Sequence, residues 1–330
     1  MNAPCASTAA FAPSPLALGL SGMPDLAGGV YPVGPGAALD DVLGLEFLGG
    51  DAGSARARMP VEDRVRQRFG VVHGGAYAML AEAASSIGTA VQVWDAGAVP
   101  VGMSNDTSFL RPARAGCVHA EAERLHGGRT TWAWQVRLSD DDGRLCAFSR
   151  VTLAILRRDE IAARTPAGDG TRQPAAEPAP RRPWAGMPDV TGGVYPVAAG
   201  RCLDDVLAFE FVDSDETTGR GRVPVADRVR QRMGIVHGGV YAALAEMVAT
   251  EATVAQVWGA GQVAMGISNG TSFLRPVFAG AVHATARLRH RGRTTWLWDV
   301  DLSDDHGRLC ATSRVTVAVR RRPPGGAGRP

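Results

Sequence analysis

The 330 residues carry 35 Lys plus Arg against 33 Asp plus Glu, a formal net charge of +2, with 45% apolar and 21% charged residues. So balanced a chain of ordinary globular composition offers no case for a nucleic-acid partner, and it has no apolar run long enough to span a membrane. The sequence holds no Lys, which excludes Schiff-base chemistry and a phosphate-loop lysine but leaves bidentate phosphate clamping by Arg open.

Residues 1–22 lack a basic n-region, and prolines interrupt their short apolar run. They read as a disordered leader rather than a signal peptide, with the cytoplasm as the default location. From Met23 onward the chain is written twice. MPDLAGGVYPV at Met23 returns as MPDVTGGVYPV at Met187, and an offset of 164 carries Leu39-Asp40-Asp41-Val42-Leu43 onto Leu203-Asp204-Asp205-Val206-Leu207 without a gap. Over Asp63 to Ala83 against Asp227 to Met247, 16 of 21 positions are identical. Two tandem copies of one domain follow, at residues 23–158 and 187–322. Residues 159–186, rich in Pro, Ala, Gly and charge, read as an extended linker long enough for the copies to dock side by side, and residues 323–330 as a disordered tail. Cys5, Cys117, Cys146, Cys202 and Cys310 show no metal-binding spacing, so buried thiols in a reducing compartment are expected rather than disulfides.

Within the first copy, Leu45 to Leu48 and Ala55 to Pro60 read as short strands around a Gly49-Gly50-Asp51 turn. A helix from about Ala76 to Trp94 follows. Four strand-like runs come next: Val101 to Leu110, Val118 to Leu125, Thr130 to Leu138 and Leu145 to Leu156, separated by turn residues. One long apolar helix against consecutive antiparallel strands is an α+β layer fold.

The helix carries a constellation that occurs in both copies. Gln67 and Gln231 lie six residues before His73 and His237, a Gly-Gly pair follows each His, and Glu82 and Glu246 lie nine residues after it. A hydroxyl, Ser86 or Thr250, comes four residues after the Glu and shares its face. An ionisable group in so apolar a helix is costly unless it has a partner or a use. The bare helix N-terminus at Gly74-Gly75 and Gly238-Gly239 offers unpaired N–H donors and a positive dipole end to a carbonyl oxygen gaining negative charge. Glu82 lies seven residues beyond Gly75, about 10 Å along the axis. It is therefore expected to act on a carbonyl held by the other copy's helix. That expectation pairs Gln67, His73, Gly74 and Gly75 with Glu246 and Thr250, and Gln231, His237, Gly238 and Gly239 with Glu82 and Ser86.

The run Gly70-Val71-Val72-His73-Gly74-Gly75, with an acid nine residues past the His, resembles the hotdog-fold acyl-CoA thioesterases, nearest the phenylacetate-pathway and 4-hydroxybenzoyl-CoA group. The resemblance covers both repeats and implies two hotdog domains, each an antiparallel sheet wrapped around its helix, paired with the sites between them. It places the oxyanion glycine on Gly74 and Gly238, the carbonyl-polarising Gln on Gln67 and Gln231, the acid on Glu82 and Glu246, and the helix hydroxyl on Ser86 and Thr250. His73, Gly75, His237 and Gly239 would line the substrate site. Arg111, Arg275, Arg129, Thr130, Arg293 and Thr294 are the candidate contacts to the coenzyme A phosphates, and Asn105 and Asn269 either face the site or satisfy local backbone. The implied function is hydrolysis of an aryl- or medium-chain acyl-CoA to the free acid and CoA, with no cofactor and no metal. Intrachain pairing of the two hotdogs is expected, with a homodimer of four hotdogs as a further possibility.

Other signals are weaker. Gly266-Ile267-Ser268-Asn269-Gly270 matches a nucleophile elbow, but a strand follows where the elbow needs a helix, and Asp106 replaces the last glycine in the first copy. Trp132, Trp134, Trp296 and Trp298 alternate along strands and are expected to pack between the sheets of neighbouring domains, with the lining of an aryl pocket as the alternative. His119, His126, His283 and His290 lack carboxylate or Cys partners at ligand spacing. Glu251 has no counterpart, since Ile87 stands at that position, and an exposed place at the helix end is expected for it. Two rival functions remain. A hotdog hydratase or dehydratase would need an Asp beside the His, and none lies near in sequence. A non-catalytic acyl-CoA binder would have no need of two buried Glu residues.

Overall fold

The computed structural model describes residues 36–158 and 199–321, together with Val33 and Val197. The expected leader, linker and tail, and the opening residues of each repeat, lie outside the described residues. The first repeat runs α1 (Leu39–Leu43), β1 (Glu46–Gly50), β2 (Ser54–Pro60), a single 3-10 turn (Asp63–Val65), α2 (Gly74–Val93), β3 (Ala98–Phe109), β4 (Cys117–Gly127), β5 (Thr131–Ser139) and β6 (Leu145–Arg157). The second repeats this order as α3 (Leu203–Leu207), β7 (Glu210–Ser214), β8 (Thr218–Pro224), a 3-10 turn (Asp227–Val229), α4 (Gly238–Val257), β9 (Gln262–Phe273), β10 (Ala281–Arg291), β11 (Thr295–Ser303) and β12 (Leu309–Arg321).

All strands join one antiparallel sheet in the order β1-β2-β4-β5-β6-β3-β9-β12-β11-β10-β8-β7. The two halves meet at β3 and β9, where Asp106 pairs with Gly270 and Ser104 with Ser272. Strand residues alternate between buried and more exposed, as on β2 and β5. The buried side faces the helices, because a sheet with one apolar face must cover it. Each helix is buried along most of its length, consistent with its weakly sided apolar sequence.

The tryptophans do a different job from the one expected. Trp134 and Trp298 are fully buried, and their Nε1–H groups donate to Thr89 Oγ1 and Thr253 Oγ1, each at 2.9 Å. They pin each sheet half to its own helix, rather than packing between the sheets of neighbouring domains. The thiol expectation holds for Cys146, Cys202 and Cys310, which are free and buried. Cys117 departs from it, being disulfide-bonded.

The short helices α1 and α3 carry the surprise. The Leu39 N–H donates to Arg230 O at 3.0 Å, and the Leu203 N–H to Arg66 O at 2.9 Å. Arg232 pairs with Asp41 at 2.9 Å and Arg68 with Asp205 at 3.4 Å. Each repeat therefore lends its short helix to the 3-10 turn of the other, where it sits beside the start of the other repeat's long helix.

Candidate functional site

His73 is the N-cap of α2: its Nδ1 accepts the Gly75 N–H at 2.9 Å, and His237 Nδ1 accepts the Gly239 N–H at 3.0 Å. The two long helices run antiparallel and touch at their first turns. A Cβ added to Gly75 would lie 2.6 Å from the Ala243 Cα, and one on Gly239 would lie 2.7 Å from the Met79 Cα. The missing side chains of Gly75 and Gly239 let the helices approach, and their N–H groups already serve the capping His.

Gly74 and Gly238 stand differently. A methyl group on Gly74 would overlap the Glu246 carboxylate, and one on Gly238 the Glu82 carboxylate. Each acid of one repeat thus lies on the helix N-terminus of the other. The opposite wall is also glycine: a Cβ on Gly266 would come within 2.8 Å of Glu246 Oε1, and one on Gly102 within 3.4 Å of Glu82 Oε1. Gly102 and Gly266 flank register shifts in their strands. These two glycines belong to the GMSN and GISN runs in which only a false nucleophile elbow was visible.

Around Glu82 a cavity of about 250 Å³ gathers Gln231, Gly238, Ser86 and Gly102 with Tyr241, Phe273 and Arg275. An adjoining lobe of about 170 Å³ reaches Ala83, Ile87, Ala90, Asp40 and His237. Around Glu246 the cavity is about 40 Å³, lined among others by Gln67, His73, Asp204, Met247, Thr250 and Glu251. Residues of both repeats line each cavity, in the pairing that helix geometry requires.

Burial pushes the Glu82 carboxyl above the usual range, while His237, Asn105 and the Gly238 N–H favour its charged form. Burial also raises Glu246, opposed by His73 and the Gly75 N–H. Around His73 burial works against protonation, but Glu246 and Asp204, each 3.4 Å away, overcome it and push the imidazole up to about 9. The Gly75 N–H bond needs the Nδ1 lone pair and so favours neutral imidazole. Two carboxylates outweigh that one neutral bond, and the direction is upward.

Asp204 and its counterpart Asp40, whose Oδ1 lies 3.9 Å from His237 Nε2, are site residues that the sequence reading missed. The absence of an Asp beside the His is accordingly corrected: the other repeat supplies it. The signal was the Leu-Asp-Asp-Val-Leu repeat, visible in sequence without any hint of its destination. Glu251 is likewise no exposed helix end. It lines the Glu246 cavity, its Oε2 is buried without a hydrogen-bond partner, and burial with Asp204 nearby pushes its carboxyl up to about 8.

The remaining expected residues divide. Asn105 and Asn269 are buried and donate to Ala78 O at 2.9 Å and Ala242 O at 2.7 Å, tying β3 and β9 to the helices. Arg275 lines the Glu82 cavity and donates to Leu309 O at 3.1 Å. Arg111 is exposed beyond β3, and Arg129, Thr130, Arg293 and Thr294 are exposed at the turns before β5 and β11. The Thr130 carbonyl accepts the Ile155 N–H at 2.9 Å, one residue from Leu156 of the Glu82 cavity. His119 and His283 pair with Asp141 and Asp305, each at 2.7 Å. No group of three or more metal-ligating side chains occurs among the described residues.

The family model of the thioesterase superfamily matches residues 69–147 and 233–311, once in each repeat. A putative esterase of Pseudomonas aeruginosa is 40% identical over 119 residues, 36% of this chain and 82% of that protein. A 1,4-dihydroxy-2-naphthoyl-CoA hydrolase of Listeria monocytogenes is 32% identical over 120 residues, 36% of this chain and 97% of that protein. Among solved structures, the tesB protein of Mycobacterium avium subs paratuberculosis superimposes with a TM-score of 0.57 at 18% identity, over 87% of this chain and 100% of that one. A hot dog fold protein of Alicyclobacillus acidocaldarius also gives 0.57, at 16% identity over 87% of this chain and 98% of that one. These last two likenesses concern the fold alone. The chain belongs to the thioesterase superfamily and carries that family's domain twice in one polypeptide.

Proposed function

We propose that this thioester hydrolase cleaves acyl-CoA at composite sites, each built from the helix N-terminus of one repeat and the acid of the other. The observation that carries the reading is the Glu82 carboxylate lying against Gly238, and Glu246 against Gly74. In this mechanism the thioester oxygen takes the N–H of Gly238 and the side-chain amide of Gln231. Preorganised donors at a positive helix end stabilise the oxygen as it gains charge. Glu82 either attacks the thioester carbon or draws a proton from an attacking water. By both routes one water is consumed, the C–S bond breaks, and the acid and thiol leave. Burial makes this carboxylate a stronger base than a solvated one, which suits either role.

Apolar lining around Glu82, from Tyr241, Phe273, Ile87 and Val99, supports an aryl or medium-chain acyl group. The similarity to the naphthoyl-CoA hydrolases, one of them 39% identical over 112 residues, supports the same class. Arg275 at the cavity, with Arg111 and the exposed Arg129 and Arg293, supplies guanidinium groups for coenzyme A phosphates. A hydratase is less well supported despite its Asp–His pair. Both His73 nitrogens are engaged by protein groups, and the side chain is buried. The test is thiol release from a panel of aryl- and alkyl-CoA esters by wild type, Glu82→Ala, Glu246→Ala and the double variant. Loss of turnover on the whole panel in the double variant, with each single variant keeping part of it, is the expected result. Equal activity in all four proteins, or none in wild type, would overturn the mechanism.

A further inference from the structure

The offset of 164 places Ala83, Ser86, Ile87 and Ala90 of α2 on Met247, Thr250, Glu251 and Val254 of α4. These positions face the two cavities. On the Glu82 side, two alanines leave lobes of about 250 and 170 Å³. On the Glu246 side, Met247 and Val254 occupy the corresponding space, and about 40 Å³ is left. The narrower space favours a short, slender acyl chain over an aromatic ring.

The polarity changes with the size. Glu251 Oε2 and Thr250 Oγ1 are both buried with no hydrogen-bond partner. A buried polar atom without a partner is costly and is ordinarily satisfied by something in the native state. Both atoms belong to the lining of the cavity that holds Glu246. Glu251 lies five residues past Glu246, about 7.5 Å along the helix. Thr250 and Glu251, on the wall of the same cavity, are therefore placed to meet the acyl chain of a thioester whose carbonyl lies against Glu246. On the other side the matching groups are Ser86 and the apolar Ile87.

We propose that the two sites of this chain have different acyl specificities, the Glu82 cavity taking bulky apolar acyl groups and the Glu246 cavity taking short acyl chains that bear a hydroxyl, with Glu251 as the residue that selects it. This rests on the thioesterase reading of both acids and names the substrate class of each site.

The test isolates the sites with Glu82→Ala, which leaves only Glu246, and Glu246→Ala, which leaves only Glu82. Each is assayed on benzoyl-CoA, butyryl-CoA and 3-hydroxybutyryl-CoA. Benzoyl-CoA is expected to be cleaved at least about a hundredfold better, in kcat/KM, by Glu246→Ala than by Glu82→Ala, since a filled pocket rejects a ring. The Glu82→Ala protein is expected to prefer 3-hydroxybutyryl-CoA over butyryl-CoA by about tenfold, one good hydrogen bond. Adding Glu251→Ile should bring that ratio near unity. If Glu251→Ile does not fold, Ile87→Glu in the Glu246→Ala background is the readout, and a gained hydroxyl preference supports the assignment. Equal benzoyl-CoA turnover by the two single-site proteins overturns the proposal. So does a hydroxyl preference untouched by Glu251→Ile or not transferred by Ile87→Glu, and so does a Glu82→Ala protein inert to all three esters while wild type is active. A wild type inert to every ester sinks the thioesterase mechanism instead, so the two failures are distinguishable.

Discussion

The two repeats share many of the hydrogen bonds of their scaffold and diverge where their helices face the cavities. Asn105 to Ala78 and Asn269 to Ala242, Trp134 to Thr89 and Trp298 to Thr253, His73 to Gly75 and His237 to Gly239 are the same hydrogen bonds made twice. Each ties up a buried polar group that would be costly to leave unpaired, so each resists change. Against this, Ala83 and Met247, Ile87 and Glu251, Ala90 and Val254 differ in volume or charge. A side chain at a cavity wall has free space on one side, so a change of volume there meets less resistance than in a closed core. Duplication has kept the machinery and loosened the lining.

The comparison breaks most severely at the acids. The double variant Glu82→Ala with Glu246→Ala is expected to lose thiol release by about 10²–10⁴-fold on every ester the wild type cleaves, the usual worth of a catalytic base. Each single variant should lose only the esters of its own cavity. Because the two acids act at separate cavities, the single losses should not compound within one substrate class. A steady-state kcat/KM table over the panel checks this.

Neighbouring glycines give the next effect, and they separate stability from activity. Gly75→Ala and Gly239→Ala drive a methyl into the backbone of the facing helix, at Ala243 and Met79. Overpacking of that kind is expected to cost ~1–3 kcal/mol, read as a lowered melting temperature for both proteins. Gly74→Ala meets first the carboxylate end of Glu246, the far end of a flexible side chain that can swing aside. Its stability is expected to change by less than ~1 kcal/mol, while turnover of the Glu246 substrates is lost. A matched pair of melting curves and assays distinguishes the two outcomes.

Much of this was legible in the sequence, for reasons that particular residues make plain. Repeats without gaps show a duplicated domain whatever the fold, and a step of seven residues along the helix from Gly75 to Glu82 puts the acid out of reach of its own N-terminus. Both inferences need only local geometry. What stayed hidden depends on where the chain goes between elements. Asp40 and Asp204 were visible as a repeated motif, but the docking of α1 and α3 on the opposite repeat is a tertiary event that no spacing encodes. Gly102 and Gly266 looked like part of a false hydrolase motif because a strand glycine reveals its purpose only through what packs against it. Glu251 read as an exposed charge because periodicity cannot locate a cavity wall on a helix apolar nearly all round.

Glu251 also sets the two halves apart in pH. Its carboxyl is pushed from an ordinary 4.5 to about 8 by burial and Asp204, where repeat 1 has Ile87. A folded-state value above the unfolded one means that the native state holds the proton more tightly. Its contribution to stability is therefore fully present below 4.5 and is lost as pH rises through about 8. His73, pushed up to about 9 from 6.5, runs in the same sense over a higher window. Wild type is expected to lose melting temperature as pH rises from about 5 to about 8. Glu251→Gln keeps the shape, removes that titration and should flatten this part of the profile. A Gln variant with the same slope as wild type would place the group's proton in solvent-like surroundings.

The smallest difference between the repeats lies at the ends of α1 and α3. Gly44 and Ala208 occupy the same left-handed C-cap, with φ of 70° and 58°, and their N–H groups reach back to Asp40 and Asp41 or Asp204 and Asp205. Ala208 is the one non-glycine residue with positive φ among those described. An L-residue in that conformation costs roughly 1–2 kcal/mol, and glycine gives part of the gain back through the freedom it adds to the unfolded chain. Ala208→Gly is therefore expected to stabilise by about 0.5–1 kcal/mol net. The reverse exchange, Gly44→Ala, puts a methyl 2.8 Å from the Arg64 Nη2 in addition to the strain, and should destabilise by at least as much. A urea midpoint that moves up for one and down for the other, at unchanged slope, would show the strain to be native-state and local. Equal midpoints would mean that docking on the opposite repeat, rather than the cap, holds these short helices in place.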